Sequence, residues 1–374
     1  MKILMVMSGL NRGGTERQVA TLFPALQRHG HEITVLVPFG GDHHERELRA
    51  AGVDVVVAHR GRRGEGRSVP SLLFRGGERA WNVVRLTGAK HTDIVHGFGL
   101  ATNLYAAATK PIHRRKVVWG VRSSLPEMHL VVRALERYLS HFADLIICNS
   151  EAGRTMCLEN GMNPDRIVVI GNGIDVERNR IEPAWREAVR EELGVREDES
   201  LIGIVGRIDT DKNQEAFLRA AAMVGEKCHG ARFVVIGTGE ETHVRSLKEY
   251  ASTLGIDPAP IWTGARDDVE RCLNALDVLV STSRTEGFPN VIAEAMAVGV
   301  PCVVTDAGES AQIVGELGKV VSDGSANRVS DAIIHVLHAE RDGHALKRRA
   351  TISGRYSPET MVRATEEALK GLLR

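Results

Sequence analysis

Short apolar runs alternate with amphipathic stretches along most of this 374-residue chain. The first run, KILMVMS at 2–8, precedes a Gly-rich turn and then the helical pattern TERQVATLFPALQRHG at 15–30. The alternation continues with the runs HEITVLVP, VDVVVA, TDIVHGFG, KVVWGV, ADLIICNS and RIVVIGNG. Strands that are apolar throughout and alternate with helices are typical of a parallel sheet covered on both faces.

The same pattern restarts after a polar, acidic stretch at 176–200. Its second set of predicted strands is LIGIVGRI, ARFVVIGTG, APIWTGA, LDVLVSTS, PCVVTD and GKVVS. We therefore predict an α/β protein of two tandem, doubly wound Rossmann-like domains, residues 1–175 and 176–355, linked near 172–183. A final helix within 356–374 is expected to cross back onto the first domain.

Composition adds few constraints. Hydrophobic residues make up 43% of the chain and charged residues 26%, as in ordinary soluble proteins. The aromatic content of 4% gives no support to a base-stacking platform for nucleic acid. The five cysteines form no C-x-x-C pair, which favours a reducing cytoplasm over a disulfide framework or a zinc site. We expect neither a signal peptide nor a membrane-spanning segment.

The formal net charge of zero conceals an asymmetry between the two halves. Residues 1–175 hold 23 Lys and Arg against 16 Asp and Glu, whereas 176–374 hold 25 against 32. Most of the basic excess lies in 55–137, which includes HRGRRGEGR at 59–67 and KPIHRRK at 110–116. Two interpretations fit this basic excess equally well. One is an Arg-rich solvated surface, and the other is a face that binds phospholipid headgroups or a lipid-linked phosphate.

Candidate chemistry lies in the loops that follow strands, because open parallel sheets bind ligands beyond their carboxyl ends. A cleft between two such domains is the expected active site. Gly13 and Gly14 precede a helix whose predicted N-cap is Thr15, and their backbone N–H groups could approach a phosphate. A plain tight turn explains these two glycines at least as well.

Two cations follow the first strand of the second domain. Arg207, after Gly206, offers a planar fork and Lys212 a point charge, which together suit a diphosphate. An ordinary charged surface loop is the alternative. The DTD at 209–211 matches the D-x-D of metal-dependent sugar transferases, but its position beside these cations argues against a metal, and we predict none.

Two further loops carry weaker signals. In VIGTGEE at 235–241, Gly237 and Gly239 indicate a close backbone approach, although a lone G-x-G is a weak dinucleotide motif. In IWTGARDD at 261–268, Arg266 could contact a base, whereas a buried structural role is favoured for Trp262.

The stretch SRTEGFPNVIAEAMAVGVP at 283–301 places two carboxylates around a predicted helix start. Pro289 suits the first turn of this helix, and Gly299 ends it. Glu286 lies before the helix and Glu294 about one turn inside it, so both can reach one ligand. The helix N-terminus between them offers N–H groups to a phosphate.

These stretches resemble the retaining, metal-independent nucleotide-sugar glycosyltransferases of the GT-B fold, glycosyl transferases group 1, whose paired glutamates have seven residues between them. The resemblance covers essentially the whole chain. The matching stretches are 13–22, 93–99, 172–175, 206–213, 235–240, the closing helix and, most specifically, ALDVLVSTSRTEGFPNVIAEAMAVGVPCVVTDAGE at 275–309.

The resemblance implies roles for the candidate residues. Glu294 would bind the nucleotide ribose, Glu286 the donor sugar, and Arg207 and Lys212 the diphosphate. The other residues on the donor side would be Gly13, Gly14, Gly206, Gly237, Arg266, Gly287, Phe288, Pro289 and Asn290. His96 would face the donor and acceptor sugars, although a satisfied histidine at a strand end is an equal interpretation.

Two positions depart from the family pattern. Arg122 stands where many members have a histidine, and it could bind an anionic acceptor, a carboxylated sugar or donor phosphate. Gln312 stands where many have a glutamate. Arg122 and Glu16 are the residues expected on the acceptor side.

The implied reaction is retaining transfer from a nucleotide sugar, with a UDP-sugar favoured, to a hydroxyl of a glycan, lipid-linked or small-molecule acceptor. Its setting would be cell-envelope polysaccharide or glycoconjugate synthesis in the cytoplasm, with peripheral membrane contact through the basic domain. A sugar-nucleotide epimerase or hydrolase of the same fold and a non-catalytic partner subunit are the alternatives. A nicotinamide-dependent enzyme is disfavoured because neither domain has a full G-x-G-x-x-G.

Overall fold

The computed structural model describes residues 1–10, 13–39, 43–59, 69–122, 130–339 and 343–374. These residues form two compact units. The first unit contains Met1–Gly173 and Pro358–Arg374, and the second contains Ile174–Ser357. The second unit is therefore one continuous piece of chain, whereas the first is built from two separate pieces.

The sheet of the first unit has seven parallel strands in the order β3-β2-β1-β4-β5-β6-β7. The strands are β1 Lys2–Met7, β2 Glu32–Phe39, β3 Asp54–His59, β4 Ile94–Phe98, β5 Lys116–Val121, β6 Leu145–Cys148 and β7 Ile167–Val169. Every apolar run predicted as a strand in this part of the chain is confirmed. Such runs form strands because a parallel sheet buried on both faces needs apolar side chains on both.

Helices cover both faces of this sheet. They are α1 Gly14–Arg28, α2 His43–Ala50, α3 Val69–Ala89, α4 Leu100–His113, α5 Leu130–Ser140 and α6 Glu151–Glu159. Met5 and Leu4 are neighbours on β1 but belong to different cores, because successive strand side chains point to opposite faces. Met5 packs in the core that includes Phe23 of α1, and Leu4 in the core that includes Val83 of α3.

The second unit repeats this architecture with six parallel strands in the order β10-β9-β8-β11-β12-β13. The strands are β8 Ser200–Val205, β9 Ala231–Ile236, β10 Ile261–Gly264, β11 Val278–Ser281, β12 Cys302–Thr305 and β13 Lys319–Val321, again as predicted. The helices are α7 Pro183–Glu192, α8 Gln214–Lys227, α9 Glu241–Thr253, α10 Val269–Ala275, α11 Asn290–Ala297, α12 Ser310–Val314, α13 Ala326–Ala339 and α14 Ala345–Arg355. The polar stretch 176–200 thus contributes α7 to this unit.

The final helix, α15 Pro358–Gly371, belongs to the first unit. Its Met361, Val362 and Leu369 are buried in the core that contains Phe23. The carboxylate of Glu366 lies 3.1 Å from His29 Nδ1 and 2.9 Å from His31 Nε2. The hydrogen bond from Lys370 is the main cause that lowers the pKa of Glu366 to about 2, with smaller contributions from both histidines.

Two local predictions about helix starts are wrong. Gly13, not Thr15, is the N-cap of α1, so Thr15 already lies in the first helical turn. Pro289 is the N-cap of α11, and the helix itself begins at Asn290. Proline fixes its own φ near the value found here, −77°, so it fits either position, and the sequence alone does not separate them.

Candidate active site

The loop after β8 and the loop after β11 are joined to each other, because β8 and β11 are neighbours in the sheet. The Thr282 hydroxyl donates hydrogen bonds to the carbonyls of Lys212 and Asn213, at 3.1 and 2.9 Å. The Arg284 N–H donates to the Asp211 carbonyl at 2.7 Å. These bonds hold the proposed phosphate cation Lys212 beside the loop that carries Glu286.

Lys212 and Glu286 form an ion pair between Nζ and Oε1. The Ser283 hydroxyl donates to the same Oε1 atom at 2.7 Å. The Glu286 side chain is only 11% exposed and that of Lys212 is 23% exposed, so water screens this pair only partly. The sequence predicted a ligand role for both residues but not their pairing, nor the contact with Ser283.

Hydrogen bonds from the end of β12 and from the loop after it support the loop that carries Glu286. The Glu309 N–H donates to the Gly287 carbonyl at 3.0 Å, and the Thr305 hydroxyl donates to the Ser283 carbonyl at 2.6 Å. Gly308 has φ +57°, and a Cβ atom there would lie 2.5 Å from the Glu286 and Gly287 carbonyl oxygens. Sequence reasoning missed Gly308, although its place after a strand, in DAGES, was a detectable signal.

Glu294 is the fifth residue of α11 and is 5% exposed. The residues around it on this helix, such as Ile292 and Met296, belong to the apolar core. Phe288, just before the helix, is 7% exposed and packs edge-on against Tyr356, with ring centroids 5.2 Å apart. Burying a carboxylate in a helix of this kind is costly. The predicted ligand role of Glu294 stays a prediction.

Arg207 occupies a different environment from Lys212. Its side chain is 70% exposed, and its Nε bonds to the Asp209 carboxylate. The other Asp209 oxygen accepts from the Lys212 N–H at 3.0 Å, so this aspartate of the D-x-D stretch shapes the loop. The side-chain amide of Gln214 donates a hydrogen bond to the Arg207 carbonyl at 2.8 Å. The backbone of Arg207 is therefore held while its guanidinium extends into solvent.

Gly206 and Gly237 meet each other at the ends of β8 and β9. Gly237 has φ +143°, and a Cβ atom there would lie 1.8 Å from the Gly206 carbonyl oxygen. The close backbone approach predicted at Gly237 is therefore made to another strand end. Arg266, which follows the edge strand β10, is bound by Glu192 and Asp268, and Trp262 is half-buried against the core. The proposed contact of Arg266 with a base stays a prediction.

In the first unit, Gly13 lies against the carboxylate of Glu16. A Cβ atom at Gly13 would lie 2.1 Å from Glu16 Oε2, so this carboxylate folds back over the start of α1. Glutamate at this third helical position is typical of a helix N-terminus, which accounts for Glu16 without any ligand. The predicted ligand roles of Gly13, Gly14 and Glu16 stay predictions.

His96 lies on β4, and Arg122 directly follows the neighbouring strand β5. His96 is fully buried on β4, and its ring centroid lies 4.3 Å from that of Phe98. Burial lowers the pKa of His96 well below its usual value, and the positive charge of Arg122 lowers it further. The Arg122 guanidinium lies 4.8 Å above the Phe98 ring and donates to Asn172 Oδ1 at 3.2 Å.

Of the two basic stretches found in the sequence, the structure describes the second in full and only the first residue of the other. Residues 60–68 lie outside the described residues. Residues 110–116 form the end of α4 and the start of β5, at the amino-terminal edge of the sheet, where Lys110 pairs with Asp144 at 2.6 Å.

Within the described ranges, no group of three His, Cys, Asp or Glu residues is placed to hold a metal ion. No helix there has the length and hydropathy needed to cross a bilayer.

The fold and the strand-end site together define a two-domain α/β enzyme of the GT-B type. The family model "Glycosyltransferase Family 4" matches residues 12–178, and "Glycosyl transferases group 1" matches residues 199–339. The chain belongs to these glycosyltransferases.

Individual relatives agree with this membership. The chain is 26% identical to a GDP-mannose-dependent alpha-mannosyltransferase of Mycobacterium tuberculosis, over 92% of this chain and 89% of the relative. It is 31% identical to an Escherichia coli UDP-Gal:alpha-D-GlcNAc-diphosphoundecaprenol alpha-1,3-galactosyltransferase, over 47% and 46%. The crystal structure of Anabaena HepE in complex with UDP-glucose is similar in fold, with a TM-score of 0.87 at 23% identity, over 99% and 100%.

Proposed function

We propose that this glycosyltransferase moves a sugar from a nucleoside-diphosphate sugar to a hydroxyl acceptor with retention of anomeric configuration. The observation that carries the proposal is that the hydrogen-bonded loops after β8 and β11 bring Lys212 and Ser283 to the same carboxylate oxygen of Glu286. Glu294 lies one turn further on, as the fifth residue of α11. A cation, two carboxylates and a helix N-terminus are the groups that a diphosphate and two sugar diols require.

In this proposal each group has one task. Lys212 and the exposed Arg207 neutralise the charge that develops on the departing diphosphate, and the N-terminus of α11 adds its partial positive charge. Glu294 accepts hydrogen bonds from the ribose hydroxyls. Glu286, held by Ser283, accepts them from the sugar, so it binds the donor rather than attacking it as a retaining hydrolase nucleophile would.

The transfer is proposed to follow a front-face route. The bond between the anomeric carbon and the diphosphate oxygen breaks, and a bond to the acceptor oxygen forms on the same face of the sugar. The acceptor proton passes to the departing diphosphate. Lys212 and Arg207 supply the charge that a metal would otherwise provide, so we expect full activity in excess chelator. A strict Mg²⁺ or Mn²⁺ requirement would contradict this assignment.

A UDP-sugar is the favoured donor and a glycan, lipid-linked or small-molecule hydroxyl the acceptor, in cell-envelope polysaccharide or glycoconjugate synthesis. Support for UDP comes from HepE, which is similar in fold and binds UDP-glucose. Support for a lipid-linked acceptor comes from the Escherichia coli relative, named for a diphosphoundecaprenol substrate. The mannosyltransferase relative makes GDP-mannose the competing donor.

Thermal shift with UDP, GDP and ADP, followed by NMR of the product, tests this function. We expect one nucleotide to stabilise the protein and the product to keep the donor's anomeric configuration. An inverted product would contradict retention. Consumption of the nucleotide sugar without any acceptor would favour the epimerase or hydrolase. Stabilisation by none of the nucleotides would favour a non-catalytic subunit.

We also propose that the first unit contacts the anionic inner face of a membrane through α5. Four large apolar side chains of this helix are exposed: Leu130 by 79%, Val131 by 68%, Leu135 by 45% and Tyr138 by 64%. At 3.6 residues per turn they fall within an arc of about 140°. Two exposed arginines, at positions 133 and 137, border the arc. An apolar arc bordered by arginine is complementary to an anionic lipid surface.

A further inference from the structure

A charged cavity of about 340 Å³ lies at the amino-terminal edge of the first unit's sheet. Asp93 and Asp144 immediately precede β4 and β6, and Lys116 is the first residue of β5. Open parallel sheets bind their substrates at the opposite edge, beyond the carboxyl ends of the strands. The cavity is therefore not part of the substrate-binding edge of this sheet. Its charged lining consists of Asp93, Lys110, Arg114, Arg115, Lys116 and Asp144.

The two aspartates of this lining do not balance its four cations. The Asp144 carboxylate lies 2.6 Å from Lys110 Nζ and 3.9 Å from Lys116 Nζ, so one carboxylate serves both lysines. Asp93 accepts a hydrogen bond from the Lys2 backbone N–H at 2.8 Å. Four positive charges against two negative charges leave an excess of two in the lining. A concave surface with an excess of one sign of charge attracts ions of the other sign.

Arg114 and Arg115 carry the unpaired part of this charge. Both are exposed, and neither forms an ion pair within the described part of the chain. Arg114 caps α4 in the left-handed region, at φ +57°, where glycine is the usual residue. An arginine adopts this conformation at a cost, so the backbone alone does not explain its presence. Burial lowers the pKa of the neighbouring His113, and the charges of Lys110 and Arg115 lower it further, as expected in a positive potential.

We propose that this cavity binds the dianionic phosphate group of a free phosphate monoester. Such a group carries about −1.5 to −2 charges at pH 7, which matches the excess of two positive charges in the lining. Arg114 and Arg115 offer planar forks to its oxygens, and Lys116 a point charge. The phosphodiester of a lipid headgroup carries one charge and would balance only half of the excess. The volume of about 340 Å³ leaves room for the group esterified to the phosphate.

The cavity also joins the two separate pieces of chain that build the first unit. Leu373, which follows α15, lies on its wall opposite none of the charged pairs above and supplies an apolar surface. The charged residues all come from the other piece, Met1–Gly173. A ligand that binds only the folded state stabilises that state. Binding of a phosphate monoester should therefore stabilise the docking of α15 on the first unit.

Phosphorus NMR titration of the full-length protein tests the site with two small probes, methyl phosphate and the singly charged dimethyl phosphate. We expect the wild type to bind methyl phosphate at least about 5-fold more tightly, and Arg115→Gln to weaken that binding about 5-fold. Arg114→Gly should weaken it similarly. Because glycine suits the left-handed cap, Arg114→Gly should keep or raise the melting temperature, so its loss of binding would not reflect unfolding.

Controls separate this cavity from other cationic sites. Arg245→Gln, which removes an exposed charge on α9, and Lys212→Ala should both bind methyl phosphate as the wild type does. Equal affinity for the two probes, or no binding of methyl phosphate, would overturn the proposal. So would binding that is lost in Lys212→Ala but kept in Arg115→Gln, or weakened equally in Arg245→Gln. Loss of co-sedimentation with anionic vesicles in Arg115→Gln, without any preference for methyl phosphate, would assign the cavity to lipid headgroups instead.

Discussion

At the residue scale, Glu294 and Glu286 should separate into nucleotide and sugar roles. Glu294→Gln removes a charged acceptor for the ribose hydroxyls, so affinity for the bare nucleoside diphosphate should fall about 10- to 100-fold. Glu286→Gln should leave that affinity nearly unchanged and reduce transfer from the full donor. Calorimetry with nucleotide alone, beside turnover with donor, measures both. Glu226→Gln, on the exposed face of α8, is the matched control. The reverse pattern would exchange the two assignments.

Lys212 and Arg207 should each contribute to turnover through charge. Replacing either with alanine should lower turnover about 10²-fold or more, the typical cost of losing an electrostatic stabiliser. Lys212→Ala also removes the ion pair with the Glu286 carboxylate, which is only 11% exposed. Arg245→Ala, an exposed arginine on α9, should have no effect. Steady-state rates together with the melting temperature distinguish lost catalysis from lost folding, and a wild-type rate in either variant would remove that residue from the mechanism.

At the element scale, α5 should bind anionic vesicles through its apolar arc. The double change Leu135→Gln with Tyr138→Ser removes two of its exposed apolar side chains, and Arg133→Gln with Arg137→Gln removes the bordering charges. Both should reduce co-sedimentation with anionic vesicles, and salt should weaken wild-type binding because the Debye length is about 10 Å at 0.1 M. Leu346→Gln, which changes a 73% exposed leucine on α14, is the control. Equal recovery on anionic and neutral vesicles would contradict lipid docking.

The secondary-structure elements also show how much of the fold and of the candidate site can be predicted from the sequence. The apolar runs predict all thirteen strands seen among the described residues, because a strand buried on both faces leaves a local signature. They do not predict that Lys212 pairs with Glu286, since this depends on β8 lying next to β11 in the sheet. They also do not show that the apolar side of α5 is exposed, because periodicity marks an apolar face without telling what covers it.

At the scale of the whole molecule, α15 should be required for the stability of the first unit. Removing residues after Ser357 takes Met361, Val362 and Leu369 out of the core. Each buried side chain of this size contributes about 1.5–3 kcal/mol, against about 5–15 kcal/mol for an entire domain. Hydrogen exchange should therefore show lost protection in residues 1–173 and retained protection in 174–357. Unchanged protection in both pieces would show that α15 is dispensable.

The discontinuity of the first unit has a consequence for its biosynthesis. The ribosome makes Met1–Gly173 first, but Pro358–Gly371 emerges only after the entire second unit has been translated. At about 5–20 residues per second, this interval lasts roughly 10–40 s. Domains usually fold in the order of their synthesis, yet here the continuous second unit has all its residues before the first does. During this interval, the apolar surface of the first unit that α15 later covers stays exposed to solvent. A chaperone would be expected to bind this surface during translation.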